Sequence, residues 1–202
     1  MKRNLFLISC LLIPILLASC SQSTKPSSLL ILNESVIYPT DEPPFIQIKT
    51  DNEAKMISTV DDYPSPPKIS LDKTKLVYIA PFDFETLGEV WLYGNDSDAP
   101  KKVFDRTQFG EDQSVKQVHW LDDSHLIILT GNRYGTVSIN QSLYVWDTAS
   151  KEAKSVLQEK GNRDIRDLTV NDSGVEILIV TYNDDFTEET FETKSLKITD
   201  LY

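Results

Sequence analysis

The chain has 202 residues, 40% of them hydrophobic, and a formal net charge of −11. That acidity excludes nucleic acid as a partner, because a phosphate backbone would be repelled, while the length allows one domain or two small ones. Only two cysteines occur, Cys10 and Cys20, too few for a disulfide framework.

Lys2 and Arg3 form a positive start, followed by an apolar run over residues 5–17. That run is about 13 residues, short of the ~20 that cross a bilayer core, and reads as the apolar part of a signal peptide. Leu17-Ala18-Ser19-Cys20 then resembles the lipobox of bacterial lipoproteins. The resemblance implies diacylglycerol on the Cys20 sulfur and cleavage before it. Leu7-Ile8-Ser9-Cys10 fits the same short pattern but has too few apolar residues before it, and an ordinary signal peptide with a chance cysteine is the other alternative. Residues 1–19 carry two basic and no acidic side chains, so removing them leaves 183 residues with a net charge of −13. Such a chain does not lie flat on an anionic membrane, so the lipid does the anchoring. Residues 20–28 are polar and read as a tether.

A repeat of about fifty residues follows. Asp72, Asp122 and Asp172 each close a short strand a and precede a polar turn. Each turn leads into an apolar strand b: Leu76-Val77-Tyr78-Ile79, Leu126-Ile127-Ile128-Leu129 and Ile177-Leu178-Ile179-Val180. Near-continuous apolar runs are expected of strands covered on both faces. Strands c read as Val90-Trp91-Leu92-Tyr93, Leu143-Tyr144-Val145-Trp146 and Leu196-Lys197-Ile198. Lys102-Val103-Phe104 and Ser155-Val156-Leu157 supply strands d in the first two units, and the third stops without one. A carboxylate at the a–b turn accepts backbone N–H groups two residues on, which gives the three aspartates a turn role. Phe45–Lys49 and Lys55–Ser58 read as strands c and d of a worn earlier unit. Leu29-Leu30-Ile31-Leu32 and Ser35-Val36-Ile37-Tyr38 are further β-prone segments, and one of them is expected to complete the last blade by pairing with residues 195–201, which protects an open edge.

Four strands per unit at this period is a propeller signature. The fold class is therefore all-β: a β-propeller-like array of about three to four four-stranded antiparallel blades, incomplete or open, over residues 29–202 with its best-defined part at 66–202. The units resemble TolB-type relatives of the WD40 repeat. Residues 68–85, from Lys68-Ile69-Ser70-Leu71-Asp72 to Asp83-Phe84-Glu85, resemble an uncharacterised family of Gram-positive lipoproteins, domain of unknown function 4652. That resemblance implies an extracytoplasmic location and propeller repeats, and implies no activity.

No catalytic constellation stands out. His119 and His125 have no His or Cys partner at metal spacing, no Gly-x-Ser-x-Gly occurs, and no cofactor fingerprint is present. Asp184, Asp185, Glu188, Glu189 and Glu192 make the densest acidic cluster, a candidate for calcium on a b–c loop beside the commoner reading as a solvated acidic loop. Phe82, Phe84 and Leu87 place apolar side chains on the first b–c loop, a candidate contact surface unless Phe82 and Phe84 tuck under a neighbouring blade. The reading is a lipoprotein attached by its N-terminal lipid to the outer face of the cell membrane. It acts there as a non-catalytic binding or scaffold module for a protein, peptide or cell-wall partner. Alternatives are an extracytoplasmic carboxylate-dependent hydrolase, or an accessory lipoprotein of envelope stress or sporulation.

Overall fold

The computed structural model describes residues 36–40, 43–49, 53–94, 97–134 and 140–202. The expected signal peptide over residues 1–19, Cys20, the expected tether over 20–28 and Leu29–Leu32 lie outside the described residues. Fourteen strands are described, forming four antiparallel sheets. The first holds β1 (Val36–Ile37), β2 (Ile46–Lys49) and β3 (Ala54–Ser58). The second holds β4 (Lys68–Ile69), β5 (Lys75–Ala80), β6 (Glu89–Gly94) and β7 (Lys101–Phe104). The third holds β8 (Gln113–Trp120), β9 (His125–Asn132), β10 (Ser142–Asp147) and β11 (Ala153–Gln158). The fourth holds β12 (Arg163–Asn171), β13 (Gly174–Tyr182) and β14 (Glu189–Lys197). Each sheet is a meander of neighbours in chain order, as the propeller-like reading expects.

Three apolar cores lie between successive sheets, and the alternation of the b strands builds them. Leu76, Tyr78 and Ala80 of β5 face Ile46, Ile48 and Ile57 of the first sheet. Val77 and Ile79 face the other way, into a core shared with Leu126 and Ile128 of β9. Ile127 and Leu129 in turn join Ile177 and Ile179 of β13. Both faces of β5 and β9 are thus covered, the physical reason for their unbroken apolar runs. Burying each such side chain contributes about 1.5–3 kcal/mol. Strand a of the second sheet is only two residues long because Pro64, Pro66 and Pro67 precede it and cannot donate to a ladder. Ser65 still pairs there, its N–H donating to the Ile79 carbonyl at 2.8 Å.

The a–b turns use the expected chemistry with one correction. The Asp72 carboxylate accepts from the Thr74 N–H at 3.0 Å, and Asp122 accepts from the Ser124 N–H at 2.7 Å. In the third unit the acceptor is Asn171, which takes the Ser173 N–H at 2.9 Å, and not Asp172. There strand a runs one residue further before the turn, as Asn171 pairs with Gly174 across a two-residue reversal. Gly174 has a φ of 145°, and a Cβ there would sit 2.0 Å from the Leu196 carbonyl oxygen.

Two further expectations are corrected. Strand c of the last unit begins at Glu189 rather than near Leu196, since residues 189–197 pair along the whole of β13. Backbone ladder bonds outweigh the polar composition of that stretch. Val36 and Ile37 pair with Ile48 and Gln47 in the first sheet, so this segment does not complete the last one. A neighbour in the chain is reached with a short connection, whereas ring closure would join opposite ends of the domain.

Candidate functional site: an aromatic end and an inner groove

The meander puts all b–c loops and all d–a connections at one end of the array. Loop 81–88 follows β5 and is held by its backbone. The Phe82 N–H donates to the Tyr63 carbonyl at 2.7 Å. On the other side the Gly88 N–H donates to Ser114 Oγ at 3.0 Å, and the Val115 N–H donates to the Gly88 carbonyl at 3.1 Å. Thr86 closes a turn on Asp83, its Oγ donating to the Asp83 carbonyl at 2.7 Å. The loop is therefore pinned to both neighbouring units while its aromatic rings stay in solvent, Phe82 at 47% and Phe84 at 69% exposure. Neither ring tucks beneath a neighbouring blade; Leu87 is half-buried.

The other connections at this end do the same. Tyr134 follows β9 and is exposed, with the Arg133 guanidinium 4.8 Å from its ring centre. Phe186 lies in the β13–β14 turn and Tyr63 in the connection to β4, both exposed and both in left-handed backbone, φ 55° and 48°. Bulky side chains rarely adopt that conformation. Exposed aromatics in pinned or strained loops mark contact surfaces better than isolated apolar residues do.

Inside the rim, the a strands line a groove. One cavity of about 330 Å³ is bounded by Ser65, Lys68, Phe82, Lys116, His119 and Asp167, among others. A second, of about 650 Å³, shares Lys68 and His119 and reaches Trp120 and Asn171. Burial, with the Lys68 ammonium adding to it, pushes His119 down to about 4 although Asp167 pulls the other way, so the ring is neutral at neutral pH. Burial also lowers the pKa of Lys116.

The acidic cluster is divided by the corrected start of β14. Asp184, Asp185 and Glu188 sit in the turn, whose shape comes from Asn183 Oδ1 accepting the Thr187 N–H at 2.8 Å. Glu189 and Glu192 stand on the strand, 3.4 Å from Arg166 and 3.3 Å from Arg163. Among the described residues no three His, Cys, Asp or Glu side chains are grouped to hold a metal. His125 lies at the opposite end, its Nδ1 2.9 Å from Asp122 Oδ2 and its ring 4.6 Å from that of Tyr202.

Sequence reasoning found Phe82 and missed Lys68, Lys116 and Asp167. Lys116 is the extra residue of a β-bulge, between the paired Val115 and Gln117, and Arg166 is its counterpart fifty residues on. The fifty-residue period carried a signal, a basic residue at the same repeat position, but bulges re-aim side chains in a way period-two reading does not follow.

A solved structure of a Clostridium novyi NT protein, inferred to be a conserved lipoprotein, aligns with TM-score 0.57 and 16% identity, covering 81% of this chain and 94% of that one. A β-propeller domain of the Trilobed protease from Pyrococcus furiosus, described as having an open velcro topology, aligns with TM-score 0.51 and 13% identity over 81% of this chain. A prolyl endopeptidase structure aligns with TM-score 0.54 and 14% identity over 80% of it. This chain spans 52% of the Trilobed protease chain and 24% of the prolyl endopeptidase chain, and the likeness is one of fold. No functionally curated protein matches. The profile of a family described as a domain of unknown function, DUF4652, matches residues 83–199, more than half of the sequence, and the chain belongs to that family.

Proposed function

We propose that this protein is an exported lipoprotein, held at the outer face of the cell membrane through Cys20. Its propeller-like domain serves there as a non-catalytic binding or scaffold module for a protein, peptide or cell-wall partner. The observation that carries the reading is the loop end, where Tyr63, Phe82, Phe84, Tyr134 and Phe186 are all exposed and Phe82 also borders a groove. Large aromatics held in solvent by satisfied backbone bonds are pre-organised for contact and lose little freedom on binding. Export is supported by the Leu17-Ala18-Ser19-Cys20 pattern after a short apolar run. The likeness to a protein inferred to be a lipoprotein is in keeping with it.

The test is crosslinking of the lipidated chain in its native membrane, followed by mass spectrometry, beside a Phe82→Ser/Phe84→Ser/Tyr134→Ser variant. A partner captured by the wild-type chain and lost from the variant, with unchanged circular dichroism, is expected. The same partners recovered from both would remove this end as the contact surface.

A further inference from the structure

Lys116 occupies an unusual place in the repeat. It is the bulged residue of β8, and it lines the 330 Å³ cavity half-buried. Its ammonium has no hydrogen bond or ion pair among the described residues. Arg166, at the equivalent bulge of β12, is neutralised by Asp164 at 3.6 Å and Glu189 at 3.4 Å. Position 114, which corresponds to Asp164, is a serine, so the third sheet has no carboxylate there to answer Lys116. A cationic side chain that lines a cavity and has no partner in the fold is available to an anionic ligand, and a charge-assisted contact is among the stronger ones a ligand can gain.

The rest of the cavity narrows the chemistry. Lys68, an exposed residue of β4, borders the same space, and its side chain has no hydrogen bond or ion pair among the described residues. Asp167 contributes one carboxylate and His119 a neutral ring with one donor and one acceptor. Two ammonium groups against one carboxylate leave a single positive charge. That balance suits a monoanion and leaves a doubly charged phosphate under-neutralised. Phe82 supplies an apolar wall, and the volume lies at the small end of ligand pockets, enough for a residue-sized group.

We infer that the groove between Lys68, Lys116 and Phe82 is a binding site for a carboxylate carried on a small apolar group, either the C-terminus of a peptide or a free small organic acid. Lys116 and Lys68 take the carboxylate oxygens, and the apolar substituent lies against Phe82. The inference rests on the reading of the domain as a binding module and names the chemistry its groove recognises.

Trp120 borders the adjoining cavity that shares Lys68 and serves as a fluorescence reporter. The lipidated chain in detergent is titrated with N-acetyl-phenylalanyl-alanine, its C-terminal amide, acetate and inorganic phosphate, with calorimetry in parallel. The free acid is expected to bind at least about tenfold more tightly than the amide, the ratio that one charge-assisted contact supplies. Lys116→Gln and Lys68→Gln are expected to lower affinity for the acid about tenfold each while melting temperature stays level, and Lys116→Arg to retain most of it. Acetate binding as tightly as the dipeptide assigns the site to free small acids; binding of the dipeptide alone assigns it to peptide ends. Equal binding of acid and amide, no binding of either acid, or indifference to Lys116→Gln overturns the site, and phosphate binding as tight as the acid overturns the carboxylate class. If the site fails while the aromatic variant still loses its crosslinked partner, the groove assignment falls and the binding-module reading stands.

Discussion

Trp120 Nε1 donates a hydrogen bond to the backbone carbonyl of Lys68, 2.9 Å away and 52 residues earlier in the chain. The bond joins the inner strands of the second and third sheets at the edge of the groove. Beside it the Asp72 N–H donates to Asp123 Oδ1 at 2.7 Å, and Lys75 Nζ donates to the Asp123 carbonyl at 2.7 Å. Trp120→Phe keeps most of the buried ring and leaves the Lys68 carbonyl without its donor. The expected loss is about 1–3 kcal/mol, the penalty for an unsatisfied polar group. It is read as a lowered urea midpoint at unchanged slope. A midpoint equal to wild type would show that the bond contributes nothing net.

His119 predicts a pH dependence. Its folded-state pKa is lowered from 6.5 to about 4, chiefly by burial. The unfolded chain therefore binds the extra proton first, and the stabilising contribution of the neutral ring, complete above 6.5, is lost as pH falls towards 4. His119→Gln should flatten the fall in unfolding free energy across that window by an amount on the order of 2 kcal/mol. Denaturant titrations at pH 7, 5.5 and 4 check this, and parallel curves for the two proteins would contradict it.

Gly88 is where the aromatic loop meets the third sheet. A Cβ at this position would lie 2.8 Å from Ile79 Cγ2 and 2.9 Å from the Val115 carbonyl oxygen. Gly88→Ala is expected to destabilise by about 1–3 kcal/mol through overpacking. The bonds from the Gly88 N–H to Ser114 Oγ and from the Val115 N–H to the Gly88 carbonyl should loosen with it. Faster amide exchange at Val115 and Gly88 positions, with a lower melting temperature, is the expected result; a melting temperature at or above that of wild type would contradict the tight approach.

For the acidic turn, little or no rise in melting temperature is expected in saturating calcium. Glu189 and Glu192 are engaged by Arg166 and Arg163, and a native-state ligand stabilises only as far as it binds. A calcium-dependent rise that disappears in Asp184→Asn/Asp185→Asn would reverse this view.

Cys20→Ala should give a protein that takes up no labelled palmitate and either keeps its signal sequence or leaves the membrane fraction. Labelling at the wild-type level would remove the lipid anchor from the proposal.

What the sequence determined by itself was set by local rules. Apolar runs at 76–79 and 126–129 are legible as strands covered on both faces because no other arrangement buries every side chain of a β-strand, whereas the run at 177–180 belongs to the last sheet and meets a core through Ile177 and Ile179 on one face, with Leu178 only half-buried. The Asp72 and Asp122 turns follow from a side chain reaching an N–H two residues away, and the fifty-residue period follows from copying one supersecondary unit. Tertiary structure decided the rest. Whether Asn171 or Asp172 makes the turn depended on where strand a stops pairing with β13. The start of β14 at Glu189 depended on a partner strand that overrode a polar composition. Phe84 exposed and Ile79 buried are both apolar residues near one loop, and only the neighbouring sheets separate them. The groove was least legible of all, because Lys68, Lys116 and Asp167 are far apart in the chain, and it took a bulge and the side-by-side packing of three sheets to bring their charges to one cavity.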